Sequence, residues 1–355
     1  MKGNASVFAT VAGVAVAIAS LCAIPPVQAK ELIYNSYLPP QNALYKGAIA
    51  GFSKRLAKES GGNLTVNIPA ASLGPQWKQW QLVTSGVADI AIVPNHSRRQ
   101  ALVLPDVANL AFLTKSAQSS SQALWNTQQK FFAPLDEYKG VKLIALCVLP
   151  GRELGTLKAP IKQLADLKGL KIWSGLTQKT QIEALGAVDV SVPFPKVYEV
   201  VSKGTVDGMI GSPSTILATR TGKFVKFLTK TDGGIGTAIF SIVMNASTFN
   251  SLSAAEKAQF EKAAAGMSTV CGRAMDVGER IGAKVVTKKM GVTIYQPDRA
   301  LLDQIAEKLE FMKGRWLAAA KKRGLADPQQ AYAFYVAEMT RIAAANAAAK
   351  PMKKP

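Results

Sequence analysis

The spacing of apolar positions alternates between two periods along the chain. Residues 31–38, "ELIYNSYL", read as a strand. Leu44, Ala48, Ile49, Phe52 and Leu56 then fall on one face of a helix, which Gly61-Gly62-Asn63 closes. Leu64, Val66 and Ile68 alternate in "LTVNIPA", predicting a second strand. A second helix carries Trp77, Trp80, Leu82 and Val83 and stops at Gly86; "ADIAIVPN" follows as a third strand. This β-α-β-α-β order predicts a mostly parallel sheet covered by helices.

The pattern resumes at residues 141–149, "VKLIALCVL", and continues through "LKIW", a helix near 178–185, "AVDVSVP", a helix near 197–202 and "GMIGSP". "AIFSIVMN", residues 238–245, is a further strand. Ser253 and Glu256 have capping-box spacing and open one long helix that ends near Met290-Gly291. "VTIYQP" is a last strand, and two helices complete the chain. Two α/β units without a linker predict two lobes joined by crossing strands, with a cleft between them. The expected first lobe is 30–150 with 240–290, and the second is 151–239 with 291–345. Residues 346–355, ending "KPMKKP", are expected to be a disordered basic tail.

The start of the chain changes the setting. Lys2, an apolar run over 7–24 and Val27-Gln28-Ala29 have the form of a secretory signal peptide cleaved after Ala29. A retained membrane anchor is the alternative, against which Pro25-Pro26 and the cleavage site argue. Leu21 before Cys22 argues against a lipid anchor. No later segment approaches the ~20 apolar residues of a membrane span. The expectation is a soluble, exported protein.

The formal charge of +20 is spread along the chain, with no clustered stripe before the tail. It is read as solvated surface, suited to an anionic membrane or to steering anionic solutes, and not as a nucleic-acid footprint. Export permits a bridge between Cys147 and Cys271, but their spacing leaves a disulfide and two free buried thiols equally open.

Candidate chemistry is sparse. The one histidine, His96, lies in the polar loop "PNHSRRQ" and is read as an exposed bystander. Gly234 and Gly236 begin a phosphate-binding pattern, but its third glycine position is Ile239. There is no G-x-S-x-G, no P-loop, no C-x-x-C and no compact acidic cluster. An enzyme is disfavoured, and no catalytic residue, metal site or cofactor is expected.

Four stretches carry a resemblance: "ESGGNLTVNIPAASLG" into "VTSGVADIAIV", "APIKQLADLKGLKIW", "ALGAVDVSVPFPKVYEVVSKGTVDGMIGSP" and "IVMNASTFNSLSAAEKAQFEKAA". Together they resemble the extracytoplasmic solute-binding proteins of TRAP transporters, the DctP-like family. The resemblance implies a two-lobed, periplasmic binding protein-like α/β fold with a hinge, a central cleft and a long lobe-spanning helix. It implies a small-molecule solute, handed to a small and a large membrane subunit, and a monomer in the periplasm. Organic acids are common ligands there, held by an arginine closing "G-L-K-I-R".

Trp173 stands in that arginine's place, which removes a bidentate cation and offers apolar area and one N–H. Arg152 in "LPGRELGT" matches a second family arginine. The expected ligand is thus a carboxylate with an apolar or aromatic body, Arg152 meeting the acid and Trp173 the body. Further cleft candidates by position are Tyr37, Gln76, Trp77, Asn95, Phe194, Ser212 and Asn245. Trp80 and Trp316 are read as core, and Tyr198 and Asp207 as structural. A receptor that presents its ligand to a sensor kinase, or a periplasmic enzyme on the same scaffold, are the alternatives.

Overall fold

The computed structural model describes residues 29–349. The expected signal segment lies almost wholly on residues 1–28, and the last part of the tail on 350–355, outside the described residues. Among the described residues no helix is long and apolar enough to cross a membrane.

Strands β1 (Lys30–Asn35), β2 (Leu64–Asn67), β3 (Ile90–Pro94) and β4 (Val141–Val148) come first. β5 (Glu153–Thr156), β6 (Lys171–Trp173), β7 (Val188–Asp189), β8 (Gly208–Gly211) and β9 (Phe227–Thr229) follow, then β10 (Ile239–Asn245) and β11 (Thr293–Tyr295). One sheet has the order β2-β1-β3-β10-β4, and the other β11-β9-β5-β8-β6-β7. Both are mixed, where a mostly parallel sheet was expected. β10 returns from the second sheet and lies antiparallel to β3 and β4. β5 enters from the first and lies antiparallel to β8 and β9. β5 and β9 escaped the sequence pattern because "ELGT" and "FLT" are too short to show a period.

Each sheet is buried on both faces. In β3, Ile90 and Ile92 join the cluster of Phe52, Phe260 and Cys271, while Ala91 and Val93 join that of Leu124, Trp316 and Tyr335. Strand alternation divides the same run of residues between the two. The second sheet separates a cluster around Ile172 and Ile305 from one around Trp173 and Val286.

The chain ends in three helices, where two were expected. Arg299–Leu309 covers the second sheet through Leu301, Ile305 and Leu309. Phe311–Lys322 and Pro328–Ala348 return to the first lobe. This corrects the assignment of 291–345 to the second lobe. Ala331, Tyr335, Met339 and Ile342 form one apolar stripe, packed against the helix Ala117–Thr127 that covers the first sheet. Residues 346–348, placed in the tail by sequence, belong to this last helix.

The long helix is bent. The Ser253–Glu256 capping box opens Ala254–Ala264, and Gly266, with φ of +73°, separates it from Met267–Met290. The second segment touches both lobes: Ala117–Thr127 of the first and Pro213–Ala218 of the second. Glycines allow both approaches. A Cβ on Gly272 would stand 2.5 Å from Cα of Gln118, and one on Gly282 would stand 2.7 Å from the Pro213 carbonyl carbon.

Cys147 of β4 and Cys271 of the long helix form a disulfide across a sequence separation of 124, closing the question the spacing left open. A loop this long restricts the unfolded chain strongly. Replacing both cysteines by serine should lower stability by about 2–4 kcal/mol in denaturant unfolding. Trp173 is 1% exposed, and its Nε1 donates to the Val192 carbonyl at 2.9 Å. Its ring lies 6.3 Å from that of Phe194. Trp173→Ala should therefore cost about 3–5 kcal/mol by the same measurement, the range for emptying a large aromatic site.

Candidate functional site

Arg152 lies on the segment that crosses from β4 to β5. Its backbone pairs with the returning segment: its N–H donates to Gly236 O at 2.9 Å, and its carbonyl accepts from Ile235 N at 2.9 Å. The side chain is 7% exposed. Nη1 donates to Thr177 Oγ1 and to Gln178 Oε1, each at 3.1 Å. Nε is buried with no partner in the protein. The neighbouring Glu153 does not serve it. Strand alternation turns Glu153 to the other face, where Lys230 Nζ and the N–H and hydroxyl of Thr231 each meet its carboxylate at 2.6 Å. Burial alone pushes the Arg152 guanidinium down to about 10.

Beside this guanidinium, between the lobes, is a cavity of about 280 Å³. From the first lobe, the turn Asn95–Arg98 after β3 and the turn Leu104–Asn109 supply Asn95, His96, Asp106 and Asn109, with Arg99 next to them. From the second lobe come Thr177, Lys179, Thr180 and Gln181. The returning segment gives Thr237, Ala238 and Ile239, and the helix Phe311–Lys322 gives Met312, Arg315 and Trp316. The walls thus mix an apolar surface with a few polar groups, the usual form of a small-molecule site.

The lobes are tied across it. Arg99 Nη2 donates to the Leu176 carbonyl at 2.6 Å, where Leu176 takes a φ of +69°. Gln178 Nε2 donates to Asn109 Oδ1 at 3.1 Å and to Thr237 O at 2.6 Å. Several buried polar atoms nevertheless have no partner: Asn95 Nδ2, His96 Nδ1 and Gln181 Nε2, besides Arg152 Nε. Buried polar groups are normally paired. The basic side chains Arg99, Lys179 and Arg315 are exposed around the cavity.

The candidates named from sequence divide. Asn95 lines the cavity, its Oδ1 accepting from Ser241 at 2.7 Å. Arg152 is not among the lining residues; its Nη1 reaches Thr177, which is. Trp173 does not line the cavity; it fills the second lobe's core, because helices cover both faces of its sheet. It meets Arg152 indirectly, at Gly175. A Cβ there would stand 3.0 Å from Arg152 Nη1 and 3.1 Å from Trp173 Cη2, so both side chains close on the same glycine.

Phe194 packs on Trp173 and lines a separate groove with Tyr198, Arg220 and Lys223. Tyr37 packs on the first lobe's core. Gln76 and Trp77 sit on the short turn Gln76–Lys78, and Trp77 is 58% exposed. Ser212 donates to Glu279 at 2.7 Å, on the long helix. Asn245 caps the helix Ala246–Asn250 through Thr248 N at 2.8 Å. None of these six lines the cavity.

Sequence reasoning missed His96, Gln181 and Trp316. His96 was read as an exposed bystander, but the turn after β3 carries its ring into the cavity wall. The rule that ligands meet open α/β sheets at strand ends was the available signal for it, and for Thr177 and Gln181 after β6. Trp316 was read as core. It is 5% exposed, its Nε1 donates to Leu104 O at 3.2 Å, and its remaining face lines the cavity.

Comparison with known proteins accounts for this arrangement. Residues 34–312 match the family described as bacterial extracellular solute-binding protein, family 7, or DctP. The chain is 29% identical over 338 residues to the outer membrane transporter protein TsaT of Comamonas testosteroni, covering 93% of this chain and 96% of that one. A TRAP periplasmic solute-binding protein from Bordetella bronchiseptica, solved with bound (R)- and (S)-mandelate, superposes with a TM-score of 0.83 at 25% identity, over 88% of this chain and 99% of that one. One from Rhodoferax ferrireducens, with copurified benzoate, gives 0.80 at 25% identity, over 90% and 100%. The two-lobed fold, the cavity between the lobes and a family match across most of the chain lead to one conclusion: this chain belongs to the DctP family of TRAP extracytoplasmic solute-binding proteins.

Proposed function

We propose that the protein is the periplasmic receptor of a TRAP-type transporter for a small carboxylate with an apolar or aromatic body. The observation that carries this reading is the buried Arg152, which pairs with no carboxylate among the described residues. An unpaired buried cation is costly, and a ligand carboxylate removes the cost. The body of the solute rests on Leu102, Leu110, Ile239, Met312 and Trp316 of the cavity wall. Trp316 takes the part that sequence gave to Trp173. The cavity, about 280 Å³, is small beside the roughly 300–1,000 Å³ of drug-sized sites, which suits a single ring. The mandelate and benzoate held by the two similar structures are acids of this kind.

The exposed cations around the cavity would draw an anion inward. The mature chain, beginning after Ala29, acts as a monomer and carries no catalytic role. It hands its solute to the small and large membrane subunits.

Titration calorimetry with benzoate, mandelate and pyroglutamate tests the ligand class. Benzoate should bind, and its neutral analogue benzamide should not. Arg152→Gln should weaken benzoate by about 30-fold or more, since truncating one partner of a buried charge pair costs roughly 2–5 kcal/mol. Undiminished affinity in that variant would remove Arg152 from the site. Loss of labelled benzoate uptake on deleting the gene checks the transport role.

A further inference from the structure

His96 is the chain's one histidine, and it sits in the cavity wall with Nδ1 buried and unpartnered. Two amides with unpartnered donors share that wall. Asn95 is 6% exposed and Gln181 is 1% exposed, and each leaves its side-chain nitrogen free. A ligand that satisfies these two N–H groups brings acceptor oxygens up to the imidazole as well. The neutral ring can meet one acceptor through its single N–H; the protonated ring donates from both nitrogens and adds a positive charge that an anion attracts.

We infer that His96 takes up a proton when an anionic solute enters the cavity, so that solute binding carries proton uptake with it. The inference rests on the receptor reading above, and it assigns that site a titrating donor.

The charges around the ring give the direction. In the free protein, burial, Arg152 from the crossover and Arg99 from the following turn push the imidazole down to about 4. Arg98, on its own turn, is occupied with the Trp80 ring, its guanidinium carbon 4.6 Å from the ring centre. Lys179 of the second lobe and Arg315 of the helix Phe311–Lys322 add positive charge to the wall. Asp106 is the one carboxylate among the lining residues. Desolvation in the wall raises its carboxyl pKa, and Arg99 and Asn109 oppose the rise. A bound anion reverses the sign of the field at the imidazole. The bound pKa then lies above the free one, and binding tightens as pH falls from the bound value towards the free value.

With one histidine in the chain, proton NMR of untagged protein reads His96 without ambiguity. The free protein should show its ring titrating well below the ordinary histidine range. Saturating benzoate should raise that midpoint by about two units or more, matched by a several-fold tighter benzoate affinity at pH 5.5 than at pH 7.5. The affinity change should vanish in His96→Gln and persist in Asp106→Asn. A free-protein midpoint in the ordinary range overturns the inference whatever binds. Benzoate binding that leaves the midpoint in place, or an affinity change that survives His96→Gln, overturns it while the receptor reading stands. Failure of benzoate, mandelate and pyroglutamate alike to move any resonance overturns both.

Discussion

The cleft is organised around one buried cation. Arg152 is held by two neutral oxygens, those of Thr177 and Gln178, and its Nε has no partner. Enclosing such a charge carries a penalty of several kcal/mol unless an opposite charge comes with it. Separating the lobes would return water to it. An anion in the cavity would keep it compensated while the lobes stay together. Closure and occupancy therefore favour each other, as a ligand with different affinity for two states requires.

The fold holds that cation on an axis common to both lobes. Arg152 is on one crossing segment and pairs with the other through Gly236 and Ile235. The same returning segment presents Thr237, whose N–H reaches Asn109 Oδ1 at 3.0 Å, where Gln178 also donates. Asn109 belongs to the first lobe and Gln178 to the second, so the network that positions the guanidinium also joins the lobes. The long helix adds contacts to each lobe, with Gly272 and Gly282 as the points of close approach.

The sequence shows how much of this could be read without coordinates. Alternating periods located most strands and helices, and position at a strand end located Asn95; the same rule pointed to the loop after β6, which was not named. Two things were out of reach. Trp173 ends a strand, but Ile172 and Trp173 enter different cores because helices cover both faces of the sheet. Period-two alternation cannot distinguish a face turned to a cleft from one turned to a helix. Trp316 and Arg315 reach the cavity only because a helix remote in sequence folds back to the first lobe, and a local pattern carries no record of that return.

These two misses are linked. The family resemblance places an arginine where this chain has Trp173, and the structure makes that residue core. One buried guanidinium, that of Arg152, thus remains beside the cleft, and Trp173 does not replace the lost charge. The other basic groups near the cavity are distributed differently: Arg99 and His96 come from the loop after β3, across the cleft, and Arg315 from the returning helix. Two arginines in one lobe could hold an anion with the cleft open. With Arg152 on one side and Arg99 on the other, like charges would oppose closure until an anion lay between them. Such a distribution would keep the attraction for an acid and make the closed state depend more strongly on the acid being present.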